Sequence, residues 1–251
     1  MSGEDLEARK AEVRRRFEAD RGFWSPLWDP VLDLDPEFVD AYNAMTMASH
    51  GRGRIDEKAR ELMGVAVNVT AMHLYEPGAR IHVSHALEVG ATPAELMEVL
   101  ELATLVGVQG SLLGMTALAE VAGLPRPEGP DRDELEQRFR AAHGYWGEDW
   151  AALLGADPEY FAAYLRISAH VAERGALEPK VRDFVLITIN IAVTHLNEAA
   201  ARAHIASALA HGATREEIAD VIVMVGSLGV HGLTFAAPIL ADEVSKFEGS
   251  K

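Results

Sequence analysis

No cysteine occurs in the 251 residues, which excludes a disulfide framework, a thiolate zinc site and thiol redox chemistry. Basic residues are scarce: 23 Lys and Arg stand against 39 Asp and Glu, for a formal net charge of −16. Such a surface repels phosphate backbones and anionic bilayers, so neither nucleic acid nor a membrane is an expected partner. The N-terminal stretch MSGEDLEARKAEVRRRFEAD lacks the apolar core of a signal peptide. No uninterrupted apolar run reaches the roughly 18 residues of a membrane span, and a soluble, cytoplasmic protein is expected. Sustained period-two alternation between hairpin turns is missing as well. The fold class expected from this is all-α.

What is present is a duplication. HLYEPGARIHVSHALEVGAT, His73 to Thr92, returns as HLNEAAARAHIASALAHGAT, His195 to Thr214, 122 residues further on. The same offset holds without a gap elsewhere. Asp35-Pro36-Glu37 answers Asp157-Pro158-Glu159, Tyr42 answers Tyr164, and Asn68 answers Asn190. Trp24 and Trp28 answer Trp146 and Trp150, and Gly107-Val108 with Gly110 answers Gly229-Val230 with Gly232. A repeat of this period is a small domain in tandem and not a solenoid. The reading is a first domain over 1–123, a linker over 124–131 rich in proline, and a second domain over 132–251, each half one structural unit. At 49% hydrophobic content there is enough apolar material for a sizeable core.

Along the chain, Glu4 to about Arg21 reads as a helix with a solvated face. Two prolines between Trp24 and Pro30 break it, and Asp35-Pro36 has the form of an N-cap followed by Pro at the first helical position. Helices are expected from Pro36 to about Ser49, from the Ile55–Lys58 region to about His73, and from Pro77 to about Val89, the last closed by Gly90. Thr92-Pro93-Ala94-Glu95 has the form of a capping box, kept in Thr214 and Glu217. A long apolar helix from Pro93 to about Val121 then carries Gly107 and Gly110, which suggest a close crossing or a bend. The second half repeats this programme.

The repeated polar residues are the candidates for chemistry. With Pro77 opening its helix, Glu76 sits at the cap, Arg80 one turn in and His82 shortly after, while His73 ends the preceding helix; His195, Glu198, Arg202 and His204 repeat the set. A helix N-terminus attracts anions and arginine adds a fork suited to carboxylate. The competing reading is plain: Glu76 and Arg80 are spaced i,i+4 and can form a helix-face ion pair contributing about 0.3–0.5 kcal/mol, with His82 a hydrogen-bonded core residue. Asn68 and Asn190 lie in apolar helices and need a partner, either a neighbouring helix or a ligand. Tyr42 and Tyr164 fit a pocket wall or the core, and the four tryptophans fit the flank of a bundle. Gln109 becomes His231 and Ser111 becomes Leu233, differences that would make two sites unequal. His85 and His211 lack histidine twins and read as surface residues. The His73, Glu76, His82 spacing matches no strong metal signature.

Arg60-Glu61, Glu76, Arg80, His82, Ala86-Leu87, Gly90-Ala91-Thr92 and Glu95, followed by a glycine-bearing apolar helix, form a pattern. It is met again by Arg182-Asp183, Glu198, Arg202, His204, Ala208-Leu209, Gly212-Ala213-Thr214 and Glu217. The pattern resembles the carboxymuconolactone decarboxylase family, which also contains the AhpD-type alkylhydroperoxidases. The peroxidase branch places cysteines seven and four residues before the histidine, where this chain has Tyr75 and Gly78, and Asn197 and Ala200. Thiol peroxidase activity is therefore not expected. The resemblance to the decarboxylase branch implies an all-helical fold, no cofactor, and assembly as trimers or hexamers of single-domain units, for a tandem chain a homo-oligomer of three copies; no metal is expected from the spacing.

For a lactone acid losing carbon dioxide, the resemblance implies His82 and His204 as proton donors, with Glu76 and Glu198 orienting them. Arg80 and Arg202, with His73 and His195, would bind a small-molecule carboxylate or lactone. The expected function is a cofactor-independent, carboxy-lyase-like enzyme. The alternatives are an isomerase or cyclase acting on a larger hydrophobic metabolite and a non-catalytic helical binding or assembly protein. A pocket reached by histidine and arginine favours an enzyme; histidines sealed in the bundle favour a binding protein.

Overall fold

A computed structural model describes residues 3–124 and 129–249. The central residues of the expected linker, 125–128, lie outside the described residues. Among those described there is no strand, only helices, which fall into matching sets of seven. The first set is α1 (Gly3–Arg21), α2 (Asp29–Leu34), α3 (Pro36–His50), α4 (Glu57–Val69), α5 (Glu76–Glu88), α6 (Pro93–Leu105) and α7 (Val108–Ala122). The second is α8 (Pro130–His143), α9 (Glu148–Ala156), α10 (Pro158–Arg174), α11 (Pro179–Ile191), α12 (Glu198–Ala210), α13 (Arg215–Val225) and α14 (Val230–Gly249). The protein is a tandem duplicated all-α fold.

The ends follow from capping. The Asp35 carboxylate accepts from the Phe38 amide at 3.0 Å and Asp157 does the same for Tyr160 at 2.8 Å. Both capping boxes form: the Thr92 amide donates to Glu95 and the Thr214 amide to Glu217, each at 2.7 Å. Gly90 and Gly212, just after α5 and α12, take φ of 89° and 84°, a region open to glycine.

Two expectations are corrected. The helix expected to reach His73 stops at Val69, because Thr70 turns extended (φ −60°, ψ 143°) and its carbonyl accepts from the His73 and Leu74 amides at 2.9 and 3.0 Å. Tyr75 then returns its amide to the Asn68 carbonyl at 2.9 Å. The second copy repeats this through Ala192 and Asn190, with distances of 2.8, 3.0 and 2.7 Å. Leu74 and Leu196 both sit at positive φ in this turn, 46° and 52°, a geometry costing an L-residue about 1–2 kcal/mol. The long helix from Pro93 is in fact α6 and α7, separated at Gly107, whose amide donates to the Thr104 carbonyl at 3.1 Å.

Contrary to the expectation from uninterrupted runs, the stretches 93–122 and 215–249 are long and apolar enough to cross a membrane by length and composition. Each is broken, at Gly107 and by the 3₁₀ turn Gly226–Gly229. α6 also buries Glu95 and Glu98 beside Leu96, Val99 and Leu102.

The chain forms two compact units, whose boundaries differ from those of the sequence halves 1–123 and 132–251. One holds the residues up to Ile55 together with those from Ile222 onward; the other holds Asp56–Val221. In the first, α14 of the second copy packs on α2 of the first, and Ala237 joins a core of Val13, Phe17, Trp28, Val31, Leu32 and Val39. In the second, α7 of the first copy packs on α9 of the second, and Val108 and Leu112 join Phe139, Trp150, Leu153, Leu154, Phe161 and Leu165. The last helix of each copy thus completes the core of the other copy's opening helices. The physical reason is that a helix with an apolar face must bury it wherever a complementary face lies. Trp28 and Trp150 are core residues, with Trp24 and Trp146 half-buried beside them.

Leu112 is 2% exposed in this exchanged core. Leu112→Ala is expected to lower the unfolding free energy by about 2–5 kcal/mol, read as a drop in the urea midpoint with an unchanged slope.

Candidate functional site

In the unit Asp56–Val221, α11 places Arg182, Leu186 and Asn190 at successive i,i+4 steps, with Asp183 three residues before Leu186, which puts them on one helix face. α12 brings His204, Ser207 and, just past its end, His211. Tyr164 and Ser168 come from α10, and His143 and Tyr145 from the end of α8. Leu102, Leu105, Val106 and Gln109 of the first copy close the space, and all these residues line one cavity of about 170 Å³.

Asp183 is the centre of its polar wall. It is buried, and its two oxygens meet two imidazoles: Oδ2 lies 2.7 Å from His211 Nδ1 and Oδ1 lies 3.6 Å from His204 Nδ1. His211 is half-exposed, so the expectation of a plain surface residue is corrected: it faces the cavity and Asp183. His143 Nε2 is 3.0 Å from Ser168 Oγ. Burial, helped by the nearby His204, pushes the His143 pKa down to about 4, so this ring is neutral at neutral pH. Burial pushes the Tyr145 phenol up to about 12 and raises that of Tyr164 as well. Both therefore remain hydrogen-bond donors. Tyr164 fills both roles weighed for it, lining the cavity and packing on Trp150 at 5.3 Å between ring centroids.

The cation at the cavity wall is Arg182. Its Nε donates to Glu98 Oε1 at 2.5 Å, its Nη2 to the Leu177 carbonyl at 3.4 Å, and the Leu177 amide donates to Glu98 Oε2 at 2.6 Å. Gly175 allows this arrangement, since a Cβ there would collide with the Arg182 guanidinium and the Glu98 carboxylate. Asn190 donates from Nδ2 to the Leu186 carbonyl at 2.8 Å, while its buried Oδ1 has no partner among the described residues. Asn68 repeats this on the Gly64 carbonyl at 2.7 Å. Of the two partners expected for these asparagines, Nδ2 finds neither: it bonds its own helix.

The first copy differs at the imidazole. His82 Nδ1 lies 2.8 Å from Glu61 Oε2, and a Cβ on Gly64 would overlap the His82 ring. The position matching Gly64 in the second copy is Leu186, which has a Cβ and more. His204 cannot take the place that His82 takes, and its carboxylate partner stands further off.

Glu76 and Glu198 do not meet these histidines. Arg80 donates to Glu76, and Arg202 to Glu198, from Nη2 at 2.6 Å in each case, with all four side chains at least 72% exposed. These are the helix-face ion pairs of the competing reading. Each histidine's carboxylate partner is instead Glu61 or Asp183, three residues before Gly64 or Leu186 on the preceding helix. His73 and His195 lie in the turns before α5 and α12, where burial lowers both pKa values. The His73 ring is 5.9 Å from that of Tyr75, and the buried His195 Nε2 has no hydrogen-bond partner among the described residues. Among the described residues no three His, Asp or Glu side chains form a metal-ligand set.

Asp183 and Arg182 were visible in sequence only as part of the family pattern. His211 follows His204 by seven residues, two turns along one helix face, and that spacing was the available signal. His143, Leu102, Leu105 and Val106 gave none, because they arrive from other helices, whereas Gln109 was marked by its replacement with His231 in the second copy.

Two predictions follow from charge and burial. Glu98 is 3% exposed, and removing one member of a buried pair strands the other. Glu98→Gln is expected to cost on the order of 3 kcal/mol, whereas Glu198→Gln is expected to cost less than about 0.5 kcal/mol, both by chemical denaturation. For His143, the ring is neutral in both the folded and unfolded chain above about pH 6.5. Between there and pH 4 the unfolded chain binds a proton that the folded chain refuses. Stability therefore falls as pH falls across that window, by on the order of 3 kcal/mol, and His143→Asn should flatten this part of the profile.

Comparison with known proteins places these features. The model of the carboxymuconolactone decarboxylase family matches residues 36–120 and again 158–241. A crystal structure from Burkholderia xenovorans LB400, provisionally assigned as a gamma-carboxymuconolactone decarboxylase subunit, is 35% identical with a TM-score of 0.88. The match covers 94% of this chain and 98% of that one. Comparison with curated proteins gives no significant match. With both copies matched by the family model and the full two-copy architecture shared, the chain belongs to the carboxymuconolactone decarboxylase family.

Proposed function

We propose that the protein is a cofactor-independent acid–base lyase that decarboxylates a small cyclic carboxylate or lactone in the cavity around His204. The observation that carries this reading is an imidazole beside a buried carboxylate, facing a ring-sized cavity with an arginine in its wall. A cavity of 150 Å³ holds benzene, so about 170 Å³ suits one small ring and not a large hydrophobic metabolite. Because His204 and Arg182 both reach the cavity, the arrangement also favours an enzyme over a binding or assembly protein.

In the reaction, the bond between the ring carbon and its carboxylate breaks and carbon dioxide leaves. The electron pair passes into the conjugated lactone, where negative charge gathers. Tyr164, kept protonated by burial, and Arg182 supply hydrogen bonds to that charge. The His204 imidazolium then delivers a proton to carbon. Arg182 would hold the lactone oxygen or a second carboxylate, since gripping the departing group would stabilise the ground state instead. His82 with Glu61 would perform the matching proton transfer in the first copy. The exposed Glu198–Arg202 and Glu76–Arg80 pairs have no part in the step.

The same reading includes a homo-oligomer, a trimer by the family resemblance. The apolar side chains left exposed on α7 and α14, Leu113, Val121, Phe235 and Phe247 among them, give such an assembly surface to bury.

The test is incubation with 4-carboxymuconolactone, following carbon dioxide release. His204→Ala should lower kcat by about 10²-fold or more with circular dichroism unchanged, and His82→Ala and the double variant apportion turnover between the copies. Absence of release by the parent protein would reject this substrate.

A further inference from the structure

Loss of carbon dioxide followed by one protonation calls for a single proton donor, yet Asp183 holds two imidazoles. His211 and His204 each turn Nδ1 toward one of its oxygens, at 2.7 and 3.6 Å, and both rings line the same cavity. His211 hydrogen-bonds the carboxylate through Nδ1, whereas His204 Nδ1 stands beyond hydrogen-bond distance of it; Nε2, on the opposite edge of each ring, is left for a ligand. An imidazole can give or take a proton, so two rings facing one carboxylate and one cavity provide an acid and a base side by side. The second imidazole is peculiar to this copy: the position matching His211 is Val89.

We infer that His204 and His211 act as a paired acid and base that moves a proton between two carbons of a small enol lactone, shifting its double bond. This rests on the proposed cavity but on no loss of carbon dioxide. The neutral imidazole removes a proton from the carbon between the lactone carbonyl and the double bond. The electron pair spreads over the ring as a dienolate whose oxygen meets Tyr164 or Arg182. The imidazolium then protonates the far end of the diene. One C–H bond breaks, another forms, and the double bond moves into conjugation with the carbonyl. The substrate keeps its composition, and one net proton passes from the imidazolium to the neutral imidazole through the ligand. Solvent exchange at the half-exposed His211 restores the starting protonation state.

The probe is α-angelica lactone, a five-membered enol lactone with one methyl group and no carboxylate. The parent protein in deuterated buffer should speed its conversion to β-angelica lactone above the buffer rate. NMR should find deuterium on the methyl-bearing carbon. His204→Gln and His211→Gln should each lose about 10²-fold or more of that acceleration, with circular dichroism and thermal midpoint recorded beside them. Carbon dioxide release from 4-carboxymuconolactone is measured on the same preparations. Conversion of the angelica lactone without carbon dioxide release upholds this inference and rejects 4-carboxymuconolactone as the lyase substrate. Carbon dioxide release with no conversion above buffer overturns this inference and leaves the lyase reading standing. A folded His211→Gln variant that converts the lactone at the parental rate also overturns it.

Discussion

Glu98 is a carboxylate taken almost wholly out of water, and a charge in that position has to be answered. The answer is the Arg182 guanidinium, locked by the Leu177 backbone and given room by Gly175. Such a pair adds little net stability compared with apolar packing, but it tolerates only one arrangement of its partners. Here that arrangement sets α6 of the first copy against α11 of the second, and α11 carries Asp183, Leu186 and Asn190. The requirement to neutralise one buried charge therefore fixes the wall on which the polar residues of the cavity stand.

Duplication has preserved backbone detail more faithfully than side-chain chemistry. The turn before α5 and the turn before α12 share their hydrogen bonds, a leucine at positive φ, and an asparagine whose carbonyl receives the returning amide. On this common frame the exchange of Gly64 for Leu186 moves an imidazole, the shortening of Glu61 to Asp183 draws back a carboxylate, and the appearance of His211 fills the gap. Three changes on two neighbouring helices turn a simple histidine–carboxylate pair into a carboxylate flanked by two histidines.

Most of the fold was legible in the sequence, because capping and periodicity are local. Asp35, Thr92, Asp157 and Thr214 announce helix starts through hydrogen bonds spanning three residues. One boundary escaped: Thr70 ends α4 through backbone turns that its side chain does not advertise, whereas the break at Gly107 falls where that glycine suggested a close crossing or a bend. The site was legible in part. His204, marked by its repetition, does line the cavity, but its neighbours were misjudged, since Glu198 and Arg202 are near it in sequence and turn outward, whereas Asp183 and Arg182 arrive from another helix. Repetition reports what both copies keep, and the features peculiar to one cavity, His211 and His143, are silent in it.

The exchange of terminal helices has a consequence for descent. A duplicated gene ordinarily frees one copy to drift while the other is held by selection. Here Val108 and Leu112 are inherited with the first copy and fill the second copy's core, while Leu102 and Val106 shape the second copy's cavity. A substitution in either half is therefore screened by the working of the other. The two copies have diverged at the cavity-facing positions while remaining, in evolutionary terms, one locus.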